Sequence, residues 1–498
     1  MISHSITPSR DEFRALTRHG NLVPLIVDLV ADVETPVSAF EKIDDGDPCF
    51  LFESAEKNEE SGRFSFIGFD PIVLFKSVGS TISVTENGKM RTFETKTDPV
   101  DELQKLMARF RLAVPAATPN FIGGAVGYIG YDVVRFFEPT VPIQPRDDLN
   151  LPEMMFMIAR TLLIFDHRFR KLRLVANAWI ENESDVDEAY DHAHRDLECA
   201  IKKLAATKVL RPIDAQSIGR LPEAPSNTTR AEFESMVARA KELIAAGDIF
   251  QVVLSQRFET EFAGNALDLY RALRFGNPSP YMFCLKFDED FAIVGSSPEV
   301  HVRVRDRVAE IRPIAGTRPR GEDSADDERH ARELIVDPKE RAEHVMLIDL
   351  GRNDLGRVSE FGTVKVTEQM VIERYSHVMH IVSHVIGRLA DGKNAFDAVR
   401  ATFPAGTVSG APKIRAMQII ADLEKSRRGF YAGIVGYFGF DGSHDSCIAI
   451  RSIILKNGKA YLQTGAGIVA DSDPAREYEE TVNKAKAMLE AIQRANQE

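Results

Sequence analysis

Asp337-Pro-Lys-Glu340-Arg-Ala-Glu343-His344 and Arg476-Glu477-Tyr-Glu-Glu480-Thr-Val-Asn-Lys484 are the two stretches from which the rest of the chain can be read. Each reads as a helix with two carboxylates three residues apart, so that both project from one face. His344 follows Glu340 by four residues and Lys484 follows Glu480 by four, extending those faces. Taken alone, the spacing favours two solvated helix faces with i,i+4 ion pairs. Brought together, four carboxylates from distant segments would repel one another unless a cation sat between them. Hard oxygen donors, with no cysteine or paired-histidine set, select Mg²⁺ over zinc.

The surrounding composition sets bounds. A chain of 498 residues exceeds one small core and is expected to form two or more domains or one large composite one. With 44% apolar and 28% charged residues it has the composition of an ordinary soluble globular protein. A net charge of -13 argues against a nucleic-acid surface and provides no basic tail for a membrane, so an anionic substrate needs a local cationic pocket or a metal. Cys49, Cys199, Cys284 and Cys447 show no CxxC spacing and suit a reducing cytoplasm. Residues 1–11 lack an apolar signal core, and no apolar run approaches the roughly 20 residues needed to span a bilayer. The expectation is a cytoplasmic protein.

Residues 21–205 carry short strand-like runs at 48–52, 63–67, 81–84 and 171–175, the last two alternating apolar with polar. The glycine-rich run from Gly123 to Tyr131 matches no dinucleotide or phosphate fingerprint and reads as tight backbone packing. Residues 206–228, with Pro212, Pro222 and Pro225, read as a linker between an N-terminal domain over 21–205 and a C-terminal one over 229–490. A helix follows, with Thr229 and Glu232 as a capping box and Gly247 beyond its end. Strand-like runs recur at 250–258, 291–295, 300–304, 433–438, 447–454 and 460–464, with helices around 326–350 and 475–495. This pattern predicts an α+β chain with large antiparallel sheets.

Polar and glycine clusters gather in the second half: Gly295 to Glu299, Pro313 to Gly321, Ser376 to His380, Gly406 to Lys413, Asp445 to Arg451 and Gly465 to Gly467. Singly, each reads as a turn, Arg451 as a structural ion pair and His380 as a core histidine. Gly406 to Lys413 lacks the Gly-Lys-Ser/Thr of a Walker loop. Together and in this order, from about residue 21 to 490, the clusters resemble the chorismate-utilising enzymes, and among them the anthranilate synthase component I group.

That resemblance implies a two-lobed fold: large antiparallel sheets packed together, helices outside and the active site in the C-terminal portion. It implies Mg²⁺-dependent amination of chorismate followed by loss of pyruvate. On the matching positions, Glu343 and Glu480 resemble direct Mg²⁺ ligands, with Glu340 and Glu477 acting through water. Glu299 resembles the general acid that protonates the departing hydroxyl. Arg451, Tyr431 and the backbone of Gly465, Ala466 and Gly467 resemble a clamp on the enolpyruvyl carboxylate. Gly316, Thr317 and Thr407 resemble further substrate contacts, as does Lys484, and His380 matches a histidine of the pyruvate-releasing step.

Two positions separate relatives. Gln251 stands where isochorismate-forming and salicylate-forming members carry a lysine that activates water, and an amide cannot serve as that base. Ala315 stands where aminodeoxychorismate synthases commonly carry a nucleophilic lysine. Both departures imply ammonia as nucleophile and anthranilate as product. An aminodeoxychorismate synthase or a non-catalytic amino-acid sensor is the alternative, the sensor disfavoured by the clustered carboxylates. No cysteine sits in a glycine-flanked nucleophile turn, so ammonia is expected from a separate glutamine amidotransferase subunit in a hetero-oligomer. Leu51-Phe-Glu53-Ser54 is similar to the family's tryptophan-binding Leu-Leu-Glu-Ser element, with Phe52 at the second leucine. Asn277, Pro278, Pro280, Tyr281 and Met282 match its other wall, and Cys447 accompanies them.

Overall fold

The computed structural model describes residues 5–55, 62–114, 121–216, 219–374 and 378–496; Ser376 and His377 of the sequence cluster, and residues 217–218 of the expected linker, lie outside this set. Its organising element is one long antiparallel pair, Phe64–Val78 against Met154–Asp166. The register shifts between Pro71 and Val73, where Asp70 takes a positive φ of 52°. A bulge at that point turns both strands, so each end of the pair serves a different sheet.

From one end, pairing runs through Cys49–Glu53, Tyr281–Lys286, Phe291–Ser297, Ser452–Lys456 and Lys459–Ile468 to Gln251–Glu261. From the other, it runs through Gly124–Ile129, Ile434–Gly439, His444–Ile448, Val300–Arg305 and Val308–Ile311 to Val378–Arg388. Ile314–Pro319 and Lys365–Arg374 flank that last strand. Side chains from both sheets, including Phe50, Phe283, Leu162, Tyr128, Met157 and Val435, meet in one buried layer. A second core covers the first sheet with Pro36–Ile43, Val186–Ala205, Ala266–Gly276 and Pro474–Ala495. A third covers the second sheet with Pro99–Met107, Ala395–Thr402, Lys413–Leu423 and Pro338–Gly356.

This is the α+β architecture of packed antiparallel sheets with outer helices. Strands before and after residues 206–228 pair directly, Cys49–Glu53 with Tyr281–Lys286 and Gly124–Ile129 with Ile434–Gly439. Strand pairing therefore crosses the expected domain boundary.

Local rules account for several element ends. Thr229 caps Arg230–Ala245 in a reciprocal box with Glu232, and Gly247 follows at a φ of 85°. The helix expected around 326–350 is instead two, Ser324–Val336 and Pro338–Gly356, because Asp337 leaves helical geometry to cap the second and Pro338 begins it. The strand expected over 447–454 is also two, His444–Ile448 and Ser452–Lys456, interrupted where Arg451 adopts a φ of 49°. His344 does not extend a functional face: it is buried, with Nε2 bonded to Ser383 at 2.7 Å.

The run from Gly123 to Tyr131 packs as tightly as its glycines suggest. A Cβ on Gly127 would lie 1.9 Å from the Met155 carbonyl oxygen, between two paired strands. Gly127→Ala is therefore expected to cost about 3 kcal/mol of stability in denaturant unfolding. Gly356→Ala, which meets nothing within 4 Å, should stay within about 0.5 kcal/mol of the parent.

Candidate active site

The chain crosses between the sheets twice at neighbouring points. It passes from Phe291–Ser297 to Val300–Arg305 through Glu299, and from His444–Ile448 to Ser452–Lys456 through Arg451. The crossings are tied together: the Ile448 N–H donates to the Glu299 carbonyl at 3.0 Å, and the Ser296 N–H donates to the Arg451 carbonyl at 3.1 Å. A non-glycine residue at positive φ is strained backbone, and here it aims the Arg451 side chain.

The Glu299 carboxyl accepts the Thr407 hydroxyl at 2.8 Å from the short turn Gly406–Val408. Burial pushes its pKa up to about 8, against the opposing pull of the Thr407 bond and the Arg451 charge. At neutral pH this carboxyl holds its proton and can donate it. Arg451 is an exposed residue whose guanidinium is still partly desolvated, which lowers its pKa, and among the described residues that guanidinium makes no hydrogen bond or ion pair. A neutral acid beside an unpaired guanidinium suits a substrate that brings its own negative charge.

The paired carboxylates come from helices on opposite sheets. Pro338–Gly356 packs on Ile314–Pro319 and Val378–Arg388, and Pro474–Ala495 packs on Lys459–Ile468. Burial raises the pKa of Glu343, and the charges of Glu340 and Glu480 raise it further. Burial and the Glu480 charge likewise raise Glu477. Glu343 and Glu480 thus act on each other electrostatically across the gap between the helices, each beside the second carboxylate of its own helix. Glu340 is held by Arg318 at 3.1 Å and Glu480 by Lys484 at 2.7 Å. Among the described residues no three His, Cys, Asp or Glu side chains converge at metal-ligand spacing. The donor set of partly uncompensated carboxylates, all oxygen, fits a hard divalent cation.

Between acid and carboxylates runs a continuous wall. Lys484 Nζ donates to the Gly465 carbonyl at 2.9 Å, and a Cβ on Gly465 would lie 2.6 Å from the Tyr431 hydroxyl. A Cβ on Gly467 would lie 2.8 Å from Gln251 Nε2, which donates to Glu343 at 3.3 Å. Gln251 Oε1 is buried without a partner. His380 Nδ1 donates to the Gly316 carbonyl at 2.9 Å and lies 3.1 Å from the Thr317 hydroxyl; burial lowers its pKa, so the ring is neutral at pH 7. Gly316 has a φ of 64°, and a Cβ there would lie 2.9 Å from Glu340 Oε2. Ala466 differs from its neighbours: its methyl is buried in the outer core, so only its backbone is available to the site.

A separate cavity of about 220 Å³ lies between the sheets, lined in part by Glu53, Ser54, Pro280, Tyr281, Met282 and Cys447. Asn277 and Pro278 are not in its wall, and the Asn277 carbonyl instead accepts the Ser296 hydroxyl. Glu53 is already engaged by the Tyr270 hydroxyl and by Arg274 at 3.1 Å. Arg303, which sequence reading did not single out, lines the cavity and joins Asp445 at 2.8 Å with the Tyr281 hydroxyl at 3.1 Å. Arg318 was also missed, although it lies within a quoted cluster.

Residues 47–490 match the family model of chorismate binding enzymes. The chain belongs to the chorismate-binding enzyme family. This chorismate-utilising enzyme is 46% identical to anthranilate synthase component 1 of Acetivibrio thermocellus, over 98% of this chain and 99% of the relative. It is also 46% identical to the protein of that name from Aquifex aeolicus, over 98% of each chain. Among solved structures it resembles anthranilate synthase component I from Streptococcus pneumoniae, with a TM-score of 0.74 and 37% identity over 93% of this chain and 99% of that one. The menaquinone-specific isochorismate synthase of Escherichia coli shares the fold, with a TM-score of 0.71 at 20% identity over 96% of this chain and 98% of that one.

The raised Glu299 pKa has a consequence for stability. Its folded value of about 8 lies above an unfolded value of 4.5, so the folded state binds the proton more tightly and stability falls as pH rises between them. Glu299→Gln lacks that slope. Relative to the parent, its unfolding free energy should rise by up to about 1.4 kcal/mol per pH unit through this window. Parallel urea titrations at pH 5 and pH 8 check this; an unchanged difference contradicts it.

Proposed function

We propose that this enzyme is the large subunit of an anthranilate synthase, joining ammonia to chorismate and eliminating pyruvate in the first committed step of tryptophan biosynthesis. The observation that carries the reading is the protonated Glu299 beside the unpaired Arg451, together with the mutual repulsion of Glu343 and Glu480 from two helices. Hydroxide is a poor leaving group, and a carboxyl still protonated at pH 7 can convert it to water. The Arg451 fork suits the enolpyruvyl carboxylate through two parallel hydrogen bonds. Tyr431 and the backbone at Gly465 and Gly467 line the approach.

Glu343 and Glu480 would hold Mg²⁺ directly, with Glu340 and Glu477 bonded to its waters. When bound, the cation supplies positive charge for the ring carboxylate of a dianionic substrate. His380 is fixed as the neutral tautomer with Nε2 unprotonated, which suits proton removal during pyruvate release.

Gln251 supports ammonia as nucleophile. Its Nε2 is committed to Glu343, and its buried, unpartnered Oε1 can accept an N–H. An amide cannot take a proton from water at neutral pH, which disfavours hydration. Ala315 offers no nucleophile for the chemistry of an aminodeoxychorismate synthase. Ammonia would come from a separate glutamine amidotransferase subunit in the cytoplasm, with ammonium as a slower substitute. With chorismate, Mg²⁺ and ammonium the protein should yield anthranilate, at rates rising with pH as free ammonia increases. Product chromatography without ammonium should find chorismate largely unchanged; substantial isochorismate or salicylate would overturn the reading.

The cavity between the sheets supports tryptophan as an inhibitor. Pro298 and Val300 line it while Glu299 between them belongs to the catalytic cluster, so an occupant can displace the acid by moving its neighbours. Tryptophan is expected to inhibit the parent, and Ser54→Phe, which fills the cavity wall, to weaken that inhibition at least tenfold while leaving turnover near the parent value. Inhibition curves against tryptophan decide this. Equal curves for the two proteins, or an insensitive parent, would remove tryptophan from the site.

A further inference from the structure

Behind the catalytic wall lies an ion pair that nothing above requires. Glu424 follows the helix Lys413–Leu423, and Arg428 is its i+4 partner; their side chains are 5% and 1% exposed. Arg428 grips Glu424 with two bonds, from Nε at 2.9 Å and Nη2 at 2.6 Å. Its remaining donors reach two other segments: Nη1 to the Val408 carbonyl and Nη2 to the Val253 carbonyl, both at 2.7 Å. The guanidinium also lies 5.5 Å from the centre of the Tyr431 ring and 4.8 Å from that of Tyr131. Glu424 in turn accepts the Ser255 N–H at 2.9 Å and its hydroxyl at 2.8 Å.

Each anchored segment carries a residue of the proposed site. Val408 follows Thr407, whose hydroxyl holds Glu299. Val253 and Ser255 pair across the sheet with Gly467 and Gly465, and Gln251 lies two residues before Val253. Tyr431 closes the wall at Gly465. A buried ion pair is weak evidence for stability, because the loss of hydration nearly offsets the attraction. It does fix geometry, since five planar donors can be satisfied in few arrangements.

We propose that the Glu424–Arg428 pair is a positioning device that holds the Thr407 turn, the Gln251–Glu261 strand and the Tyr431 ring in register. Neither residue touches substrate. Arg428 acts on the acid through Val408 and Thr407, and on the carboxylate clamp through Tyr431. The inference rests on the proposed anthranilate synthase reading, but its test is relative: failure of the parent to make anthranilate counts against that reading, whereas an unaffected variant counts against this one.

The test replaces the pair by apolar side chains of similar length, Glu424→Leu with Arg428→Met, so that no unpaired charge is left in the core. Arg428→Lys is made separately: it keeps the charge but cannot reach both carbonyls and the carboxylate together. Steady-state rates with chorismate and ammonium are measured beside thermal melts, in the parent and in Thr407→Val backgrounds. We expect the double variant to melt within a few degrees of the parent, with kcat reduced at least thirtyfold and KM for chorismate less affected. We expect Arg428→Lys to recover part of that loss. If the pair acts through Thr407, adding Thr407→Val to the double variant costs much less than it costs the parent. A kcat within twofold of the parent, fully additive losses, or unfolding of both pair variants would overturn the proposal, the last by making the pair structural.

Discussion

One strand pair underlies the whole arrangement. Phe64–Val78 and Met154–Asp166 bond along their full length and bend together at Asp70 to Val73, so two sheets hang from a single ladder. A flat pair would have continued one sheet; the bulge lets its ends diverge and the sheets face each other across a shared apolar layer. Two later crossings must then carry the chain from sheet to sheet, and they lie side by side. Glu299 and Arg451 occupy those crossings. At these corners of the sandwich the backbone leaves the ladders, which frees the side chains of Glu299 and Arg451 for the proposed chemistry.

Charge placement follows the same geometry. Glu299 is neutral because it is buried, and Arg451 meets no anion of its own among the described residues. The opposite end of the wall is negative, where Glu343 is buried beside Glu340 and Glu480. A protein of net charge -13 thus carries the guanidinium of Arg451 beside a neutral acid, and a mutually repelling pair of carboxylates, Glu343 and Glu480, on two of its helices. In the proposed reaction an anion with two carboxylates would meet Arg451 directly and would need a cation where the glutamates lie, the role proposed for Mg²⁺.

Much of the fold was legible in the sequence because local rules act locally. The capping box at Thr229 and Glu232, the alternation in Lys171–Trp179 and the glycines packed near Gly127 each follow from neighbours in the chain. Errors fell where tertiary context overrides pattern. The run read over residues 63–67 is only the start of the longest strand, Phe64–Val78, which continues through the register shift between Pro71 and Val73. Cys447 to Ile454 reads as one apolar run, yet its halves belong to different sheets because Arg451 reverses the backbone. The carboxylate pairs stood out from their spacing. That Arg318 holds Glu340, that Ala466 faces the core and that Arg428 binds three segments depend on contacts between distant residues, which spacing does not encode.

The central claim is that carboxylates from opposite sheets share one cation in the presence of chorismate. Diffraction from crystals grown with Mn²⁺ in place of Mg²⁺ and soaked with chorismate tests it through the manganese anomalous signal. The account predicts one strong peak within about 2.3 Å of carboxylate oxygens on both Glu343 and Glu480, with waters reaching Glu340 and Glu477. A peak elsewhere, or none at these helices with chorismate visible beside Arg451, would contradict it.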